Sequence, residues 1–280
     1  MDELLTVEEL GVRFGRGRRP AVDGIGFSIA PGQRVGLIGE SSSGKSVTAL
    51  AIMGLLPDTA ELSGSIRFRG KELVGLPDAR MSRMRGRDMS MVFQEPMTAL
   101  DPTMTVGRQV AEVVRLHQGA PAGHARERVC QMLEEVGLPD PGRISESYPF
   151  QLSGGQRQRV MIAMALVNHP DLIICDEPTT ALDVTVQARV LDVLDRGLAD
   201  VAAACLFISH DLAVVSQICD EVLVMYRGRI VEAGPLSRLL TGARHPYTRG
   251  LVATAHIDDV APGEQLPVIE DFWDGSEDRR

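Results

Sequence analysis

Two spacings of apolar residues organise this chain. Near its start LLTVEEL alternates apolar and polar side chains, and GIGFSIA and RVGLIG follow at short intervals with Pro31-Gly32 between them. Alternation punctuated by turn residues predicts short strands. From Ser46 to Leu56 only Gly54 interrupts the run, which predicts a helix. GSIRFRG (64–70) and MSMVFQ (89–94) are further strands. The period then lengthens: residues 106–118 and 125–136 carry helical patterns separated by GAPAG. LPDPGRISESYP predicts a loop, and a helix follows from Gln156 to Val167, ended by His169-Pro170.

Two later runs are apolar without alternation. DLIICDEP closes on two acids and AAACLFISH on Ser-His, the pattern of parallel strands buried on both faces. Polar residues at the carboxyl ends of such strands stand where open α/β sheets collect ligands. VLVMYRGRIVEAG predicts a hairpin turning at Arg227-Gly228. The acidic end, PGEQLPVIEDFWDGSEDRR, predicts a loosely held tail for which Trp273 is the candidate anchor.

Composition narrows the classes. The 280 residues, 44% apolar and 24% charged, suit a globular chain with a sizeable core. A formal charge of −9 argues against coating nucleic acid, and no nucleic-acid partner is expected. The four cysteines form no CxxC pair; Cys175 and Cys205 sit inside apolar runs as core residues, suiting a reducing compartment. MDELLTVEEL lacks the basic and apolar regions of a signal peptide, and no apolar run reaches the roughly 20 residues of a membrane span. Any membrane crossing therefore falls to another chain.

The chemistry is concentrated in short motifs. GESSSGKS (39–46) lies between a strand and a helix, the setting of a phosphate-binding loop. Its amides and the helix N-terminus face phosphate, Lys45 reaches the β- and γ-phosphates, and Ser46 ligates Mg²⁺. Gly39 and Gly44 give close backbone approach; Glu40, Ser41, Ser42, Ser43 and Val47 complete the contacting segment. Ser42 is unusual, because its side chain sits where the loop curves. Asp176 ends an apolar strand where a carboxylate can hold Mg²⁺, and the adjacent Glu177 can polarise water. In LSGGQRQR, Ser153, Gly154 and Gly155 precede a helix beginning near Gln156 and offer a second anion-binding helix terminus.

The ordered set GESSSGKS, VFQEP, LSGGQRQR, LIICDEPTTALD and FISHD resembles the ATP-binding subunit of ATP-binding cassette (ABC) transporters over about residues 4–235. FQEPMTALDPTMTVGRQV, EPTTALDVTVQARVL and HPYTRGL are similar to the peptide/nickel importer branch. The resemblance implies an α/β P-loop NTPase (RecA-like) core with an N-terminal antiparallel β subdomain and an inserted helical subdomain, about residues 95–165. Residues 1–240 would form the cassette and 241–280 a shortened, loosely held extension. It implies that Phe14 stacks on adenine, that Gln94 senses the γ-phosphate and Mg²⁺, and that His210 contacts the γ-phosphate. Ser153 and Gly155 would meet ATP held by the opposite subunit, with Asp183 crossing between subunits.

The implied activity is ATP hydrolysis with Mg²⁺, driving uptake of di- or oligopeptides, with nickel or another small solute as the alternative. Implied partners are a second ATP-binding subunit, identical or paralogous, two membrane permease subunits and an extracytoplasmic binding protein. The place of work is the cytoplasmic face of the membrane. No cysteine follows Cys219, so the iron–sulfur cluster found in some relatives is not expected. A non-transport ABC ATPase fits less well, because no sustained heptads or second cassette are present. A catalytically dead subunit fits less well too, because each catalytic position holds a competent residue.

Overall fold

The structure is a computed structural model that describes residues 3–15, 19–118, 122–180, 182–255 and 272. Trp273 and the rest of the acidic end lie outside the described residues. Two sheets carry the architecture. β1 (Leu5–Phe14), β2 (Val22–Ile29), β4 (Ala60–Phe68) and β5 (Lys71–Glu72) form an antiparallel sheet in the order β2-β1-β4-β5. The second sheet adds β3 (Arg34–Ile38), β6 (Met89–Val92), β7 (Leu172–Asp176), β8 (Ala204–Ser209), β9 (Glu221–Tyr226) and β10 (Arg229–Pro235) in the order β10-β9-β3-β8-β7-β6. Only the β9–β10 pair in it is antiparallel.

Burial on both faces explains the unbroken apolar runs. Leu172, Ile174, Leu206 and Ile208 pack with the antiparallel sheet and with Ala49 and Ile52 of α1 (Lys45–Met53). Their neighbours Ile173, Cys175, Cys205 and Phe207 pack on the other side with α7 (Gly154–Leu166) and α8 (Val184–Asp200). The period of two thus assigns alternate residues of one strand to two different cores. Cys175 and Cys205 are fully buried and free.

Several boundaries differ from expectation. α1 ends at Met53 rather than Leu56, because Gly54 takes a left-handed φ of 61° and Leu55 N–H returns to the Leu50 carbonyl at 2.8 Å. α2 (Asp78–Met84) and α3 (Pro96–Ala99) flank β6. α4 (Val106–Gln118) and α5 (Ala122–Glu135) follow, and the expected loop after them contains α6 (Pro141–Glu146). Asp140 caps α6 by accepting from Arg143 N, with Pro141 at its first position. α7 starts two residues earlier than expected, at Gly154, because Ser153 and Gln156 form a reciprocal capping box.

α8 is opened by Asp183, whose carboxylate accepts from Val186 N at 3.0 Å. α9 (Leu212–Val215), α10 (Leu236–Gly242) and α11 (Pro246–Ala255) complete the fold. A loosely held extension does not describe α11, since its Tyr247 is completely buried. No helix among the described residues is long and apolar enough to cross a membrane.

Asp183→Ala removes the cap of α8 and is expected to cost about 1 kcal/mol, a fall of roughly 2–4 °C in Tm at this size. Asp183→Asn keeps a capping oxygen and is expected to stay within a few tenths of a kcal/mol of the native chain. Differential scanning calorimetry of both variants checks this, and equal losses would contradict the capping role.

Candidate functional site

The loop 39–46 joins β3 to α1 and is walled by main-chain carbonyls. A Cβ at Gly39 would clash with the Met225 carbonyl, and one at Gly44 would stand 2.5 Å from the Ala21 carbonyl. Both glycines also have φ values, 153° and 110°, that other residues rarely adopt. Gly228 N donates to the Ser43 carbonyl at 2.8 Å, so the β9–β10 turn holds the middle of the loop. Glu40 N donates to the Tyr247 hydroxyl at 2.8 Å, so α11 holds its start.

Lys45 is buried, and its Nζ donates to the carbonyls of Gly39 (2.7 Å) and Glu40 (2.9 Å). Burial lowers its pKa, while Glu177, Asp176 and Glu40 act in the opposite direction. The buried Ser43 hydroxyl has no hydrogen-bond partner among the described residues. Glu40, Ser41 and Ser42 are exposed, and Val47 is half-buried on α1. An ammonium, an orphaned hydroxyl and a helix N-terminus in a cradle without room for added carbons fit a polyphosphate.

Ser46 Oγ donates to Asp176 Oδ1 at 3.0 Å, joining the start of α1 to the end of β7. Burial raises the Asp176 pKa and Glu177 adds to the rise; the Ser46 hydrogen bond and Lys45 work against it. A hydroxyl beside a buried carboxylate whose charge is disfavoured fits a hard divalent cation such as Mg²⁺, which binds oxygen ligands.

The next residue, Glu177, gathers three side chains. Its Oε2 accepts from Thr180 Oγ1 at 2.9 Å and from Gln94 Nε2 at 3.3 Å, and stands 3.4 Å from His210 Nδ1. Glu177 has a left-handed φ of 47°, and its N–H donates to the Ile208 carbonyl at 2.9 Å. Its side chain is 13% exposed and that of His210 54%. Lys45, Ser46, Gln94, Asp176, Glu177 and His210 therefore form one continuous group at the carboxyl ends of β3, β6, β7 and β8. Thr180 belongs to this group and was not singled out by the sequence motifs, although it lies in EPTTALD.

The remaining expected residues lie elsewhere. Ser153 caps α7, and a Cβ at Gly155 would clash with Val186 of α8, so helix packing by itself requires glycine there. Gly154 has no such crowding, its nearest neighbour being Leu182 at 3.7 Å. Asp183 caps α8. Phe14 ends β1 opposite Ala60 and is half-buried against the N-terminal core, while residues 16–18 lie outside the described residues.

Ser42 adopts φ 71°, a left-handed conformation that costs an L-residue about 1–2 kcal/mol. Ser42→Gly relieves that strain without touching Lys45, Ser46 or Asp176. Titration is expected to show a change in ATP affinity of less than about tenfold, or 1.4 kcal/mol. A larger gain would mean that the serine impairs the cradle.

The chain is similar to several known proteins. The oligopeptide transport ATP-binding protein OppD of Mycobacterium tuberculosis is 49% identical over 274 residues, covering 96% of this chain and 44% of that protein. The dipeptide transport ATP-binding protein DppD of Bacillus subtilis is 44% identical over 272 residues, 96% of this chain and 81% of that one. The chain thus spans less than half the length of OppD but most of DppD. Among solved structures, the dimeric ATP-binding cassette MJ0796 in a post-hydrolysis state bound to ADP and Pi is similar with a TM-score of 0.74. Its sequence is 26% identical, and the match covers 83% of this chain and 98% of that one. CbiO1 from Clostridium perfringens, part of the ABC transporter complex cbiONQ, is similar with a TM-score of 0.73 at 27% identity, covering 86% and 92%. The family model for ABC transporters matches residues 22–180. Sequence, fold and site geometry meet in one conclusion: the chain belongs to the ABC transporter family.

Proposed function

We propose that this chain is the ATP-binding and ATP-hydrolysing subunit of an importer that takes up di- or oligopeptides through separate membrane subunits. The observation that carries the reading is the convergence on Glu177: Gln94, Thr180 and His210 meet one carboxylate oxygen next to the Lys45, Ser46 and Asp176 cradle. The names of OppD and DppD support the peptide substrate.

In this reading residues 1–240 are the cassette, with a helical subdomain at about 95–165, and 241–280 are a C-terminal extension. The loop from Gly39 to Ser46 cradles the phosphates, with the Glu40 N–H held by Tyr247, and Lys45 turns from the Gly39 and Glu40 carbonyls towards phosphate oxygen. Phe14 stacks on adenine. Ser46, Asp176 and Gln94 would hold Mg²⁺, which would neutralise phosphate charge. Glu177 accepts a proton from the attacking water. Thr180 and Gln94 fix the direction of its carboxylate, and His210 holds the γ-phosphate in register.

A second ATP-binding subunit presents its own Ser153, Gly154 and Gly155 to the same nucleotide, with Asp183 between the two subunits. ATP stabilises the closed pair and hydrolysis releases it. Two permease subunits and an extracytoplasmic binding protein complete the assembly, with this chain on the cytoplasmic face.

Glu177→Gln keeps the shape of the side chain and removes its basicity. A fall in kcat of at least about a hundredfold is expected, with ATP affinity within a few-fold of the native chain. Phosphate-release kinetics and nucleotide titration check both halves, and near-normal turnover would remove Glu177 from this role.

A further inference from the structure

Tyr247 lies within HPYTRGL, a stretch to which no chemical role attaches, yet it touches the loop at a specific point. Its hydroxyl accepts the Glu40 N–H at 2.8 Å. That N–H and the Gly39 carbonyl belong to one planar peptide unit. The carbonyl end of the unit accepts from Lys45 Nζ at 2.7 Å, so one peptide is gripped at both ends.

The grip becomes asymmetric once an anion enters. Lys45 would leave the carbonyl for phosphate, and the freed peptide could then rotate about its flanking bonds. Gly39, which flanks the unit through its ψ and has no Cβ, offers little resistance to such a rotation. A rotated peptide would swing the Gly39 carbonyl away from the Lys45 side of the loop and the Glu40 N–H off Tyr247, changing the shape of the cradle at its entry. The Tyr247 hydroxyl opposes that rotation from the N–H end.

Tyr247 is built as a rigid post. It is completely buried, and its ring lies 4.5 Å from that of Tyr226 at the end of β9. The approach to α11 is anchored where Arg244 N and His245 N each donate to the Glu232 carboxylate at 2.9 Å, on β10. Tyr247 N donates to His245 Nδ1 at 3.2 Å. Burial raises the Tyr247 pKa, which keeps the phenol neutral. The far end of α11 reaches the other side of the site: Leu251, Thr254 and Ala255 line a cavity of about 360 Å³ with His210 and Asp211.

We propose that Tyr247 is a positioning residue for nucleotide binding, holding the Gly39–Glu40 peptide in its binding-competent orientation through the Glu40 N–H. The proposal rests on the reading of the loop as the ATP site. A competent loop populated only part of the time weakens apparent affinity in proportion, without altering turnover once ATP is bound.

Tyr247→Phe in the full chain keeps the ring and deletes the acceptor. Loss of one neutral hydrogen bond predicts a three- to tenfold rise, roughly, in the Kd and KM for ATP. At saturating ATP, kcat is expected to stay within about twofold. Hydrogen exchange of the Glu40 amide in the nucleotide-free chain is expected to accelerate by about the same factor. A lowered Tm or a smaller active fraction with unchanged Kd and unchanged Glu40 exchange would reduce Tyr247 to a packing residue and overturn the proposal. A native chain that binds no ATP would overturn the nucleotide reading instead, and amide exchange would then decide the tether by itself.

Discussion

The structure depends on one constraint: at Gly39 and Gly44 the backbone of the 39–46 loop must pass closer to its neighbours than any Cβ would permit. The carbonyls of Met225 and Ala21 occupy the space that side chains at Gly39 and Gly44 would need. The two carbonyls belong to different parts of the chain, one on β9 and one just ahead of β2. The loop is therefore shaped jointly by the parallel sheet and the antiparallel sheet, and neither could hold it in the same form without the other. The turn at Arg227-Gly228 strengthens this, since Gly228 N holds Ser43 O while Gly228 O accepts from Asp23 N at 2.8 Å.

The electrostatics of the site follow from its position at the ends of buried strands. Burial disfavours the charges of both Lys45 and Asp176, and their mutual attraction only partly offsets that cost. Glu177 adds a left-handed backbone and a second carboxylate beside the first. Such strain is tolerated because well-packed surroundings fix it in place. In the proposed reading a polyphosphate would supply counter-charge to Lys45 and a divalent cation to Asp176.

Much of this was legible in the residues. DLIICDEP and AAACLFISH identify their strands, because burial on both faces leaves the runs apolar until Asp176 and the Ser209-His210 pair. The loop was legible because its glycines and lysine have fixed spacing. α8 was not: it opens Val184-Thr185-Val186, and β-branched residues disfavour helix. The Asp183 cap and the buried stripe Val190, Leu194 and Leu198 outweigh that preference. α6 was hidden because Asp140 and Pro141, a cap and a first-turn proline, resemble loop breakers when read singly. Thr180 and Tyr247 escaped for a different reason. Each acts through a contact that only the folded chain creates, Tyr247 across 207 residues.

The proposed function requires that this loop, as the chain folds it, bind one nucleotide through Lys45. Isothermal titration of ATP with Mg²⁺ into the native chain and into Lys45→Ala tests it most directly. One site per chain is expected in the native protein, and a loss of at least about a hundredfold in affinity, roughly 2.7 kcal/mol, in the variant. Equal affinity in the two proteins would contradict it.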